Sequence, residues 1–209
     1  MVPDPYALPP GPLVRRHGPF GYLDYGTYKI WLRDEFQFRC VFCLHREKWE
    51  RRGWRIFHVD HIIPQSVDET KICDYENLIY LCDACNESKS DWVIPDPCKH
   101  DYSADYKFEE DGTATALTDF GELYIKVLKL NEPYLVDYRR DFLREIRAFE
   151  EIAPDLDEDD LLFGLKRWFG YPADIPDLRR QRPKGNTRAA GRHETYYLKL
   201  RDKKTAPFY

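Results

Sequence analysis

The chain has 209 residues, 43% of them hydrophobic and including 15 Tyr, 12 Phe and 5 Trp, which allows a packed core and excludes wholesale disorder. No apolar run reaches the roughly 18 residues a transmembrane helix needs, and Met1-Val2-Pro3-Asp4-Pro5 lacks the basic and apolar regions of a secretion signal, so a soluble cytoplasmic protein is expected. The net charge of −5 is segregated, which keeps polyanionic partners open: residues 1–67 carry 10 Lys/Arg against 7 Asp/Glu, residues 68–177 carry 12 against 28, and residues 178–209 carry 10 against 2.

In chain order, residues 1–23 open on a proline-rich stretch that reads as an extended or disordered arm. From Thr27 to Phe38, Ile30, Trp31, Phe36 and Phe38 recur at roughly helical spacing and predict a short amphipathic helix leading to Cys40. Arg46 to Arg55 is basic and punctuated by Trp49 and Trp54, a loop or hairpin edge. Lys48, Arg51, Arg52 and Arg55 are its candidate contacts to a nucleic-acid backbone. Arg55 to Ile63 reads as a strand ending at Pro64. Residues 65–74 form a polar loop, Tyr75 to Leu81 a returning strand, and Asn86 to Asp91 the start of a helix.

Beyond Trp92, Asp105 to Ala116 predicts a hairpin turning at Asp111-Gly112. Thr118 to Leu130, Pro133 to Glu151 and Glu158 to Phe169 predict helices, the last capped by Asp157. Asp177 to Arg192 reads as a linker, and Tyr196 to Leu200 as a final strand. The expected division is an arm over 1–23, a core domain over 24–95, an acidic and mainly helical extension over 96–177, and a basic tail over 178–209.

Cysteine spacing carries the first chemical signal. In a reducing compartment, closely spaced pairs are more often metal ligands than disulfides. Cys40-x2-Cys43 and Cys82-x2-Cys85, with 38 residues between them, present four thiolates for one tetrahedral Zn²⁺. Such a site is closed to water and therefore structural. Cys73 and Cys98 have no partner at suitable spacing and read as ordinary thiols.

The second signal lies between the knuckles, in His58-Val59-Asp60-His61-Ile62-Ile63-Pro64, followed by Asn77 and by Asn86 directly after Cys85. Histidine titrates near neutrality and suits a general base. The carboxylate of Asp60 and the amide of Asn86 offer hard oxygens suited to Mg²⁺ or Mn²⁺.

Asp60-His61-Ile62-Ile63-Pro64, Glu76-Asn77-Leu78 and Cys82-x2-Cys85-Asn86-x2-Lys89 resemble the HNH endonuclease family, which includes homing endonucleases, colicin DNases and one nuclease domain of the CRISPR effector nucleases. The resemblance implies an α+β protein with a ββα-metal core, a structural zinc knuckle and a mainly helical C-terminal extension. It implies that His61 is the general base, that Asp60 and Asn86 hold the catalytic metal, and that Asn77 pins the loop between the strands. Asn86 stands where many members carry His, which makes this an HNN variant. His58 approaches the same site without an assigned role, and Lys89 is either a phosphate contact or a solvated helix lysine.

The strong resemblance spans about Phe36 to Asp91. A weaker one runs through Asp111-Gly112, Leu117-Thr118, Gly121 and Leu130-Asn131 to Arg139-Arg140, similar to the segment that follows the nuclease in small bacterial HNH proteins of restriction or phage defence. DNA is the implied substrate, and the acidic middle or the extension could engage a partner protein such as an ATPase or sensor. Two other readings stay open: a zinc-knuckle module that binds nucleic acid or protein without catalysis, and an RNA-cleaving nuclease.

Overall fold

The computed structural model describes residues 4–201. Residues 1–3, the start of the expected arm, and residues 202–209, the end of the basic tail, lie outside the described residues. The chain is α+β and divides into two units, each built from two stretches of sequence. One joins the residues up to Pro12 with Asp101–Gly170, and the other joins residues 13–100 with the residues from Tyr171 onward. Among the described residues no helix is long and apolar enough to cross a membrane.

The unit holding the two cysteine pairs centres on an antiparallel hairpin. β1 (Pro19–Phe20) and α1 (Lys29–Glu35) precede it; the hairpin itself is β2 (Phe57–His61) and β3 (Leu78–Cys82), with Phe57 opposite Cys82 and His61 opposite Leu78. The uninterrupted apolar run Leu-Ile-Tyr-Leu-Cys makes β3 a strand buried at every position. β2 is buried only at its ends, Phe57 and His61, while His58, Val59 and Asp60 between them are partly open, His58 and Asp60 on the opposite face of the pleat. Trp31 and Leu32 of α1 are fully buried, and Phe57 stacks on Tyr80 at 5.2 Å between ring centroids. α2 (Asp83–Lys89) follows β3 without a loop, completing the ββα order.

Buried charges fix the rest of this unit. Arg33 makes a two-pronged contact with Glu47, 2.7 Å at its closest, and Glu47 also accepts from the Tyr80 hydroxyl at 2.8 Å. His17 Nε2 meets Asp34 at 2.8 Å, and Tyr75 donates to Glu35 at 3.0 Å. Removing one member of such a buried pair typically costs about 3–5 kcal/mol, because the other charge is left without compensation.

The stretch expected as a linker is ordered. Leu178 is fully buried, and β6 (Gly185–Asn186) pairs with β1. Arg188 reaches back to Glu76 at 2.6 Å. The expected strand at Tyr196–Leu200 is instead α6 (Tyr196–Arg201). Its first turn is capped by Thr195, whose hydroxyl accepts from Leu198 N at 3.3 Å, and among the described residues it pairs with no strand. Tyr196 packs with Phe38, Tyr171 and Ile175, and its backbone N–H donates to Asp34 at 2.8 Å.

In the other unit, β4 (Tyr106–Phe108) and β5 (Ala114–Ala116) form the expected hairpin. Gly112 turns it at φ +87°, where a Cβ would come within 2.4 Å of the Val136 carbonyl oxygen. α3 (Asp119–Val127) is capped by Thr118, α4 (Pro133–Ile152) starts on proline, and α5 (Glu158–Phe169) is capped by Asp157. The proline-rich stretch is not loose here: Tyr6 is buried with its ring edge-on to Phe108 and Phe142.

Candidate active site and metal centre

The four paired cysteines converge. Their sulfurs all lie within 4.8 Å of one another, all four residues are buried, and Cys43 and Cys82 approach to 3.5 Å. A zinc–thiolate tetrahedron with bonds near 2.3 Å has sulfurs roughly 3.8 Å apart, so the donor set fits a single tetrahedral ion. Local structure explains the convergence. The first knuckle turns with Leu44 at φ +60° and is tied to β3 by Val41 N–H donating to Tyr80 O at 3.1 Å. The second straddles the start of α2, with Cys82 as its N-cap and Cys85 one turn on. Burial opposes charge on Cys40, yet hydrogen bonds from Cys43, Cys82 and Cys85 hold its thiol well below the ordinary value. Hydrogen bonding to Cys40, first among several causes, pushes Cys82 and Cys85 well above it.

α2 begins at Asp83 rather than at Asn86, so Asn86 lies mid-helix and is not a helix cap. Residues 83, 86 and 89 recur every three positions and share a face. Asp83 hydrogen-bonds His58, and Lys89 Nζ lies 3.0 Å from Asp60 Oδ2. His58 and Asp60 share one face of β2, so this face of the helix meets that face of the strand, with Asn86 between the two contacts. The Asn86 side chain is half-buried and has no hydrogen-bond partner among the described residues. A carboxylate and an uncommitted amide at one junction are a donor set that fits a hard divalent ion.

Lys89 departs from expectation. Its side chain is fully buried, so it is neither a solvated helix lysine nor a surface group free to meet a phosphate. Burial follows from its place at the last turn of α2, against β2.

His61 leaves the opposite face of β2 at the strand's end. Its Nε2 lies 3.0 Å from the Ile72 carbonyl, which can only accept, so Nε2 carries a proton, and in the neutral ring Nδ1 carries the lone pair. Gln65 Nε2 is 3.4 Å from Nδ1, and the Tyr25 ring stands edge-on at 4.8 Å. Asn77 ties the intervening loop. Its Oδ1 accepts from Ile63 N at 2.9 Å, and its Nδ2 donates to the carbonyls of Ile63 at 3.0 Å and Lys71 at 3.3 Å. Gln65, Tyr25 and the Ile72 carbonyl escaped sequence reasoning. Gln65 could have been found one turn's length after His61, whereas nothing in the sequence points to Tyr25 or Ile72.

Lys48, Arg51, Arg52 and Arg55 all line one open cleft of about 290 Å³. The three carboxylates of that cleft are engaged elsewhere: Glu47 and Asp174 on Arg33, and Glu50 on His45. Hydrogen bonding from His45 also lowers the Glu50 pKa. The four basic side chains are exposed and have no ion pair among the described residues.

No curated protein matches the chain. Residues 40–91 match the family model described as HNH endonuclease, from the first cysteine of the first knuckle to just past the end of α2. The match with the HNH endonuclease model thus takes in the two knuckles, the β2–β3 hairpin and α2.

Proposed function

We propose that the protein is a metal-dependent endonuclease that hydrolyses DNA phosphodiester bonds. The observation that carries this reading is the geometry of His61: Nε2 is committed to a backbone carbonyl, and Nδ1, contacted by the Gln65 amide at 3.4 Å, is the nitrogen left to accept a proton, one residue from Asp60. In this reading His61 Nδ1 accepts the proton of the attacking water, in line with the scissile P–O bond. The Ile72 carbonyl holds the ring's orientation and stabilises the imidazolium that forms. Asn77 keeps the loop carrying Ile72 at its distance from β2.

Asp60 and Asn86 would hold Mg²⁺ or Mn²⁺, which when bound supplies positive charge for the non-bridging and leaving oxygens of the phosphate. We assign Zn²⁺ to the four cysteines, as a structural ion. Lys48, Arg51, Arg52 and Arg55 would contact DNA phosphates, which fits their exposure and lack of ion pairs. A setting in restriction or phage defence, with an ATPase or sensor as partner, rests on the family resemblance alone.

The test is incubation of the full chain with supercoiled plasmid and Mg²⁺ or Mn²⁺, with and without EDTA, beside a structured RNA. Metal-dependent plasmid cleavage, lost in His61→Ala with fold and zinc content retained, is the expected result. Cleavage that survives His61→Ala would overturn the assignment of the base. RNA cleavage alone would move the substrate, and binding without cleavage would leave a recognition module.

A further inference from the structure

Lys89 is the least expected group in the site. Its ammonium is fully buried, its closest charged partner is Asp60 Oδ2 at 3.0 Å, and its other contact is the Ser90 carbonyl at 3.5 Å. Burying an ammonium costs several kcal/mol unless a counter-charge offsets it, so Asp60 is required to keep Lys89 where it is. The two oxygens of that carboxylate are not equivalent. Oδ2 is buried beside the Lys89 ammonium, an ion-pair contact without hydrogen-bond geometry, while the side chain as a whole is 20% exposed, which leaves Oδ1 as the oxygen that faces outward. Lys89 therefore approaches the carboxylate from inside, and a cation from solvent would approach it from outside.

We propose that Lys89 is a positioning residue that holds Asp60 by Oδ2, presents Oδ1 to the divalent ion, and weakens binding of that ion until a phosphate is present. The proposal rests on the reading that Asp60 binds the divalent ion. With its charge cancelled by Lys89, Asp60 offers little net attraction, and the buried ammonium repels a second cation across a short, poorly screened distance. A DNA phosphate brings negative charge to the same place and offsets that repulsion. Metal and DNA then bind with positive coupling, each raising the affinity for the other by the same factor. The free protein would hold its divalent ion loosely and the DNA complex would hold it firmly.

The experiment measures Mn²⁺ binding to the zinc-loaded full chain without DNA, from the electron paramagnetic resonance signal of free Mn²⁺. Lys89→Gln keeps a donor near Oδ2 but removes the charge, whereas Lys89→Arg keeps the charge. The expected result is Mn²⁺ binding about tenfold tighter or more in Lys89→Gln, unchanged in Lys89→Arg, and with the gain abolished when Asp60→Ala is added. A merely structural lysine would give weaker binding in both. Equal or weaker affinity in Lys89→Gln, or a gain that survives Asp60→Ala, would overturn the proposal.

A measurement on the unaltered chain covers the case in which Lys89→Gln does not fold. The buried ammonium should give an exchange-protected ¹⁵Nζ resonance that disappears when Mn²⁺ and a non-cleavable phosphorothioate duplex are added together. Persistence of a sharp signal would overturn the proposal as well. Tighter Mn²⁺ binding in Lys89→Gln, in a protein that cleaves neither DNA nor RNA, would support Lys89's role and overturn the nuclease reading instead.

Discussion

Asn77 spends its whole amide on the backbone: one bond accepted from Ile63 and two donated to Ile63 and Lys71, from a side chain only 5% exposed. Asn77→Ala leaves the amide and carbonyl of Ile63 without those partners. We expect a loss of about 2–3 kcal/mol in stability, read from the urea midpoint at constant slope. Cleavage should fall with it, since the same loop carries the carbonyl that holds His61. Asn77→Asp keeps the acceptor and loses the donor, so its stability should fall between the two.

Cys98 invites a different measurement. Burial pushes its thiol up to about 11, with Arg15 opposing and the charge of Asp96 adding to the rise. The thiolate is the nucleophile, so a raised pKa means little of it near neutrality and more as pH climbs toward 11. Iodoacetamide labelling of Cys98 in the folded protein should be slow at pH 8 and accelerate steeply above pH 10, followed by peptide mass spectrometry. Fast labelling at pH 8 would show that the surroundings do not hold the thiol's pKa up.

Among the elements, α2 is the most dependent on its surroundings. Seven residues are too few for a helix to persist alone in water. The first turn of α2 is held by the sulfurs of Cys82 and Cys85, and its last turn by Lys89 on Asp60. Stripping the metal from the cysteines should release the helix and carry Asn86 away from Asp60. Hydrogen exchange should quicken over residues 83–89 in chelator-treated protein while residues 133–152 stay protected. Plasmid cleavage should not return on adding Mg²⁺ without zinc. Unchanged exchange over residues 83–89 would separate the cysteine cluster from the helix.

Elements with their own local signal were legible before any coordinates. Asp157 and Thr118 announce helix starts, Asp111-Gly112 announces a hairpin, and the apolar run at β3 announces a strand. Tyr196–Leu200 was not legible, because Tyr-Tyr-Leu-Lys-Leu fits both periods and its cap, Thr195, lies just outside the pattern. β6 is two residues of Gly-Asn whose only reason to be a strand is the edge of β1. In the site, His61, Asp60, Asn77 and the four cysteines were marked by spacing. The burial of Lys89 and the grip of Ile72 on His61 were not, since each depends on what the fold brings alongside.

Over the whole molecule, the net charge of −5 gives little guidance to how a polyanion would be met. The cleft carrying Lys48, Arg51, Arg52 and Arg55 is the relevant local field. If these side chains contact phosphates, replacing one of them by Ala should lower the slope of log affinity against log salt by about 0.9, with the weakening uniform across DNA sequences. Titration of a labelled duplex by anisotropy between low and moderate salt measures this. An unchanged slope in all four variants would move the DNA contact to another surface.

The connectivity of the unit containing the hairpin has a consequence in time. Residues 13–100 leave the ribosome well before residues 171–201, yet Arg33, Asp34 and Glu76 receive Asp174, Tyr196 and Arg188 from that last stretch. During synthesis these contacts of the hairpin unit therefore form only once residues 171–201 have emerged. A chain truncated before residue 171 lacks the partners that Arg33, Asp34 and Glu76 take from residues 171–201, and limited proteolysis is expected to cut it faster than the full chain.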